Sequence, residues 1–333
     1  MSLPQRKQST ASVNSNQNFK SDPFAEIIQD VQAGLTSVPM MLNPKYFYDE
    51  KGSQLFDKIT RLPEYYLTRT ETRILSNEIE GILNRYKLEA VFEMGSGSAT
   101  KTRLILDPMN ESGMLRGIGL FDFNEEFLTE SSLSFRDLYP ESRVVSVVGD
   151  FTKELMLGDF DFTPTLYLFL GSTIGNMSYG ESKKFLERVV EKMRREDIFM
   201  LGIDLVKNVN IIRSAYNDSE GVTEEFNRNI LKVINARLDA NFEPNLFTHE
   251  AVYNQEKQRI EMYLKSDVEQ EVNLKKIDLK LKLLSGESIC TEISRKYTQE
   301  KVESLMSSAG MELMEWLTDA DSFFAIALAK GAS

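Results

Sequence analysis

One cysteine, Cys290, and one histidine, His249, occur in the 333 residues of this chain. A lone thiol excludes an internal disulfide and any multi-cysteine metal site. A lone imidazole excludes His-rich zinc chemistry and leaves a Ser-His-Asp triad with a single candidate. No cluster of Lys and Arg stands against the net charge of −12, so no nucleic-acid partner is expected. Apolar runs such as 323–329 are far too short to span a bilayer, and residues 1–22 lack the apolar stretch of a signal peptide. A cytoplasmic setting without membrane contact is expected. Those 22 residues are rich in Ser, Asn and Gln and cannot bury enough surface to order alone, so they read as a flexible tail. What is plentiful is core-forming material. At 41% hydrophobic and 27% charged residues, the chain can build two domains, or one domain with a large insertion.

Glycine is sparse, but two fall in Phe92-Glu93-Met94-Gly95-Ser96-Gly97-Ser98-Ala99-Thr100-Lys101. An apolar run ending at Met94 precedes this turn, and a helical pattern opening at Thr102 follows it. A strand that turns through glycines into a helix brings backbone N–H groups close to a ligand. No Gly-Lys-Ser/Thr follows, which excludes a P-loop, and Thr100 stands where a dinucleotide fold needs its third glycine. The remaining reading is the short turn of S-adenosylmethionine (SAM) methyltransferases.

The surrounding sequence alternates strand and helix, the mark of a parallel sheet. Strands are expected at 90–94, 115–122, 144–148, 165–170 and 198–203. Helices are expected from Pro23, after Ser178 with Glu181 completing a capping box, and over 222–241. The period then changes to two. Ile260, Met262 and Leu264 share one face of a strand, and Ile277 to Leu283 alternates again. Ile289, Thr291 and Ile293 oppose Cys290, Glu292 and Ser294. A helix over 300–309 and two strands, 311–319 and 322–329, close the chain. The fold class is therefore α/β, a Rossmann-like SAM methyltransferase sheet with a second α+β substrate-binding domain. The methyltransferase core is expected over 70–203 plus 297–331, and the substrate-binding domain over 23–69 plus 204–296.

In an open parallel sheet, ligands gather at the carboxyl ends of the strands. The first strand end offers Glu93 and the turn Gly95, Ser96, Gly97, with Lys101 just beyond. The second offers Asp122 for ribose hydroxyls, and the third offers Asp150 for the adenine amino group with Phe151 to pack on the ring. The fourth begins a glycine-bracketed loop at Gly171, and the fifth ends at Asp204. Each alone could be a helix cap or turn residue. Their order along successive strand ends points to SAM as cofactor, with no metal.

Further segments carry a resemblance. Tyr46-Phe47-Tyr48-Asp49, Gly52-Ser53-x-Leu55-Phe56, Leu62-Pro63-Glu64-Tyr65-Tyr66 and Thr68-Arg69 resemble the N-terminal signature of the histidine-specific methyltransferases of ergothioneine biosynthesis. Gly171-Ser172-Thr173-Ile174-Gly175-Asn176, Ala215-Tyr216-x-Asp218, Phe226-Asn227-x-Asn229 and Thr291-Glu292-Ile293-Ser294 fit the same family. The resemblance spans about 40–330. It implies transfer of three methyl groups from SAM to the α-amino nitrogen of L-histidine, giving hercynine. It further implies that Asn176 and Tyr216 hold the amino and carboxylate groups, with Tyr48 close by, as the catalytic set. Tyr65, or Tyr66 if the doublet is read one residue on, would face the imidazole with Glu292 and Ser294, and Met262 would line that pocket.

The residues agree on one point. Glu292 and Ser294, two apart on a strand, face the same side, where a carboxylate and a hydroxyl could read the two ring nitrogens. Cys290 would share that face, lining the pocket or filling core. His249 reads as a surface or satisfied structural residue. Two departures stand out: Leu67 replaces the proline expected after the tyrosine pair, and Phe121-Asp122-Phe123-Asn124 differs from the usual wording around the ribose acid. The amine's proton is expected to leave to water or through a tyrosine. Two other readings remain open, an enzyme of the same frame acting on another amino acid or an indole amine, and a non-catalytic SAM-binding homologue. A monomer is expected.

Overall fold

The computed structural model describes residues 23–332 except 98 and 100, so the expected tail lies outside the described residues. The chain opens with α1 (Pro23–Leu35), α2 (Glu50–Ile59) and α3 (Tyr66–Tyr86). Strand and helix then alternate: β1 (Ala90–Met94), α4 (Arg103–Glu111), β2 (Gly117–Asp122), α5 (Glu125–Leu138), β3 (Arg143–Val148), β4 (Thr165–Phe169), α6 (Tyr179–Lys192) and β5 (Ile198–Asp204). Two helices follow, α7 (Val209–Ala215) and α8 (Val222–Leu238). The antiparallel strands are β6 (Phe247–Asn254), β7 (Arg259–Ser266), β8 (Gln270–Leu274), β9 (Leu279–Leu283) and β10 (Ser288–Arg295). Helix α9 (Gln299–Ser308) and strands β11 (Met311–Thr318) and β12 (Phe324–Gly331) complete the fold. Among the described residues, no helix is long and apolar enough to cross a membrane.

The main sheet has the order β11-β12-β5-β4-β1-β2-β3, with β1 to β5 parallel and β12 antiparallel to both its neighbours. Its inner strands are buried throughout because helices cover both faces. Alternation assigns the faces. Leu166 and Leu168 of β4 join Ile74, Ile105 and Leu128 on the side of α3, α4 and α5. Tyr167 and Phe169 join Phe185, Val189 and Leu305 on the side of α6 and α9. The strand order reverses between β1 and β4, and their carboxyl ends flank the crevice that such a reversal opens.

The chain leaves this sheet at Asp204 and returns at Tyr297, at one narrow neck. There Tyr297 N–H donates to the Asp204 carbonyl at 2.9 Å, and Val206 N–H donates to the Tyr297 carbonyl at 2.9 Å. The intervening residues build the antiparallel sheet β10-β7-β6 and the hairpin β8–β9, with α8 packed on the sheet. The N-terminal segment docks onto α8: the Phe47 ring stacks on Phe226 at 4.5 Å. Asp49 caps α2 by accepting from Gly52 N–H at 2.8 Å, and it also accepts from Asn229 Nδ2 at 2.7 Å. A Cβ at Gly52 would stand 1.7 Å from the Phe47 carbonyl oxygen, so the close turn admits only glycine. Leu67, in the first turn of α3, is buried core, so the departure from proline adds apolar contact.

Candidate active site

The turn after β1 and the loop after β4 form the floor of the crevice. Asp122, at the end of β2, accepts from Gly97 N–H and from Asn124 N–H, each at 2.9 Å. Burial raises its pKa, and these backbone bonds work against the rise. Asn124 is the N-cap of α5 and accepts from the N–H groups of Glu126 and Phe127. Asp150 holds Thr152 through its backbone N–H and its hydroxyl. Phe151 packs edge-on against Phe169 and Phe185. Glu93 accepts from the Thr102 hydroxyl at the start of α4 and is pushed up to about 7, chiefly by burial. Lys101 pairs with buried Glu71 of α3, whose other oxygen accepts from Gly171 N–H at 2.8 Å.

One atom in this floor lacks a partner. The Ser96 hydroxyl is buried with no hydrogen bond from any described residue. Such a group is costly unless a ligand supplies its partner. An orphaned hydroxyl in a turn at the reversal point, with a carboxylate at the next strand end, fits a nucleoside-bearing cofactor such as SAM.

The opposite wall is aromatic. Tyr48 packs edge-on to Phe56 and Phe226, and Tyr65 packs edge-on to Tyr216 at 6.3 Å and to Phe56 at 6.1 Å. Burial raises the pKa of Tyr48, Tyr65 and Tyr216, and the Glu292 carboxylate adds to the rise in each. Asn176 ends a short 3-10 turn, Thr173–Asn176, and its side-chain amide has no hydrogen-bond partner among the described residues. That turn presses on β10: a Cβ at Gly175 would meet the Arg295 carbonyl oxygen at 3.0 Å and Ser294 Oγ at 3.3 Å. The Tyr216 and Ser294 hydroxyls are 2.9 Å apart. Glu292 sits across from buried Met262, and its carboxylate receives no hydrogen bond from any described residue. Burial pushes it up to about 7, with Lys296 pulling the other way. Ring contacts, hydrogen bonds and strand pairing thus bring Tyr48, Tyr65, Tyr216, Ser294, Glu292 and Met262 into one neighbourhood, with the turn that ends at Asn176 pressed against Ser294.

Three expectations need correction. A β-bulge between Cys290 and Glu292 breaks the strict alternation of β10. Cys290 pairs with Tyr263 and Glu292 with Met262, so the two side chains leave opposite faces, and Cys290 does not share the Glu292 wall. Asp204 is not open to ligand: it is fully buried between Lys296 and Lys207. Burial works to raise its carboxyl, but the two ammonium groups outweigh burial and hold it low. Tyr66 donates to Asp204 at 2.9 Å and accepts from Lys207 at 2.8 Å, which turns its hydroxyl into that ionic cluster. His249 is buried and satisfied, with Nε2 2.8 Å from the Tyr216 carbonyl and Nδ1 2.8 Å from Asn227 Nδ2. Glu71 and Lys296 escaped the sequence reading, and Lys207 figures in it only within the family-like segment Gly202-x-Asp204-Leu205-Val206-Lys207, with no role. A period-two step from Ser294 to Lys296 was the only available signal for Lys296.

The reversed parallel sheet with a closing antiparallel pair, together with the glycine turn and its orphaned hydroxyl, defines the class of SAM-dependent methyltransferases. Comparison with known proteins narrows the class. The chain belongs to the family described as "Histidine-specific methyltransferase, SAM-dependent", whose model matches residues 27–331. It is 39% identical to the histidine N-alpha-methyltransferase of Mycolicibacterium smegmatis over 92% of this chain and 96% of that one. It is likewise 39% identical to the enzyme of that name from Mycobacterium tuberculosis, over 90% of this chain and 94% of that one. It is 31% identical to ergothioneine biosynthesis protein 1 of Schizosaccharomyces pombe, over 63% of this chain but only 28% of that longer protein.

Proposed function

We propose that this enzyme methylates the α-amino nitrogen of L-histidine three times to give hercynine, within the ergothioneine pathway. The observation that carries the reading is the pairing of an unbonded Glu292 carboxyl with the Ser294 hydroxyl beside the Asn176 turn. An imidazole offers one ring donor and one ring acceptor to such a pair, whereas an indole ring has only its N–H and would leave the buried Ser294 hydroxyl without an acceptor.

Asn176 and Tyr216 hold the substrate's amine and carboxylate, with Tyr48 beside them, while Tyr65 and Met262 wall the ring. The position of the Tyr66 hydroxyl within the ionic cluster favours Tyr65 as the pocket member of the doublet. When bound, SAM supplies a methyl group on a sulfonium centre, and Glu93, Gly95, Ser96, Gly97, Lys101, Asp122, Asp150, Phe151 and Gly171 are the residues that would hold it. Glu93 supports that turn through Thr102. The protein's share of catalysis is position and electrostatics. With their pKa values raised, Tyr48, Tyr65 and Tyr216 stay protonated near neutrality; Tyr48 and Tyr65 can donate to the substrate, while the Tyr216 proton goes to Ser294 and its remaining lone pair can accept from the amine. They are poor bases there, so the amine's proton leaves to water. The Asn176 amide, without a partner among the described residues, keeps hold of the nitrogen as it turns between successive transfers.

The division into a core of 70–203 plus 297–331 and a substrate-binding part of 23–69 plus 204–296 accords with the single neck at Asp204 and Tyr297. Helix α3 runs across the 69/70 edge and couples the two parts. We further propose that the enzyme acts as a cytoplasmic monomer on a small molecule, without nucleic acid or membrane partners.

The test is to incubate the protein with SAM and an equimolar mixture of the twenty amino acids and to read the products by mass spectrometry. Histidine alone should gain three methyl groups. Methylation of a different amino acid would overturn the assignment of Glu292 and Ser294, and no product with any of them would overturn the proposed reaction.

A further inference from the structure

Behind the substrate wall lies a lysine that no ligand needs to touch. Lys296 is fully buried, and its ammonium lies 2.7 Å from Asp204 Oδ2, 2.9 Å from Ser294 Oγ and 3.0 Å from Tyr216 Oη. An ammonium has three N–H donors, so all three are spent. Each hydroxyl therefore has a lone pair blocked by Lys296. The hydroxyls also bond each other at 2.9 Å, which uses one of their two protons. The second proton has no acceptor among the described residues, and the space beside Asn176 and Glu292 is where it can find one.

We propose that Lys296 is a positioning residue that makes Ser294 a hydrogen-bond donor toward the substrate ring, and so sets which ring nitrogen faces which wall. With Tyr216 donating to Ser294 and Lys296 occupying a lone pair on each, Ser294 presents O–H to the cavity. Glu292, which has only oxygens to offer when ionised, accepts from the opposite nitrogen. The ring is thereby read as donor toward Glu292 and acceptor toward Ser294. Without the lysine, the Ser294 hydroxyl rotates freely and can accept as readily as donate, and this polarity is lost. Asp204 anchors the lysine from behind, and Lys207 and Tyr66 anchor Asp204 in turn. The inference rests on the reading that Ser294 faces the imidazole.

The test compares dissociation constants for L-histidine and L-2-thienylalanine, whose five-membered ring carries no nitrogen. They are measured by calorimetry with S-adenosylhomocysteine present throughout. Removing Lys296 alone would strand Asp204, so Lys296→Met is paired with Asp204→Asn and compared with Asp204→Asn alone; Ser294→Ala is the reference. The double variant should weaken histidine by about tenfold or more relative to Asp204→Asn, in line with loss of one oriented hydrogen bond, and should add nothing further in a Ser294→Ala background, where a loss acting through Glu292 would persist. It should move thienylalanine by no more than about twofold, as Ser294→Ala should. Equal loss for both ligands, or none for histidine, with Ser294→Ala still selective, overturns the role of Lys296 and leaves the substrate reading standing. A Ser294→Ala protein with an unchanged histidine-to-thienylalanine ratio overturns both.

Discussion

Glu292 should make histidine binding depend on pH in a way that a neutral replacement abolishes. Burial pushes its carboxyl up to about 7, so near neutrality about half of the molecules carry the proton. Only the ionised form accepts the ring N–H with full strength, and apparent affinity scales with the competent fraction. The apparent Kd is multiplied by about 11 at pH 6, about 2 at pH 7 and about 1.1 at pH 8. Histidine titrates in the same range, which would blur a profile of the native protein alone. The ratio of Kd values for Glu292→Gln and native protein removes the ligand's own titration, because both proteins meet the same ligand. Glutamine retains a carbonyl acceptor but not the charge, so native protein should bind about tenfold more tightly at pH 8. That advantage should shrink almost to nothing at pH 6. Calorimetric titrations at pH 6, 7 and 8 give the ratio directly. A ratio independent of pH, or one that grows on acidification, would refute the assignment of the raised carboxyl to ring recognition.

Three further outcomes follow from the geometry. Asn176→Ala should lower kcat for histidine by about 100-fold while changing S-adenosylhomocysteine affinity by less than about threefold, because the lost amide orients the amine; an unchanged kcat would refute that role. Ser96→Ala should leave the thermal midpoint of the free protein unchanged or raised, since its hydroxyl is buried without a partner among the described residues, yet weaken S-adenosylhomocysteine by about tenfold in a titration. Glu93→Gln should stabilise the protein at pH 8 relative to pH 4.5. The native carboxyl, raised from 4.5 to about 7, holds a proton that the unfolded chain has released, so stability on its account is full below 4.5 and is lost as pH rises through 7. The shift amounts to about 3 kcal/mol, and denaturant melts at the two pH values would expose its absence.

Much of the fold is legible along the chain because its signals are local. The five parallel strands announce themselves as short apolar runs, and the Ser178–Glu181 capping box appears as written. The resemblance brought Tyr48, Asn176, Tyr216, Glu292 and Ser294 forward, and they lie near one another across the two parts of the chain. The ionic cluster behind them was not legible. Asp204 looks like another ligand-facing acid at a strand end, but its partners Lys296 and Tyr66 are distant in sequence and meet it only through packing. The bulge in β10 was equally hidden, since strict alternation and one added residue leave almost the same pattern of side chains.

Period, capping and glycine spacing settle the doubly covered sheet, the turn after its first strand and the order of acids along its strand ends. These depend on neighbours a few residues apart, and steric and hydrogen-bonding rules act at that range. Which acids stay open to a ligand and which are neutralised from within is a matter of burial and of charges brought together across the chain. So is the direction in which the Ser294 proton can point. Both depend on where Lys296 comes to rest against Asp204 and Tyr216, and that follows from the packing of β10 and the Gly175 turn against the end of β5.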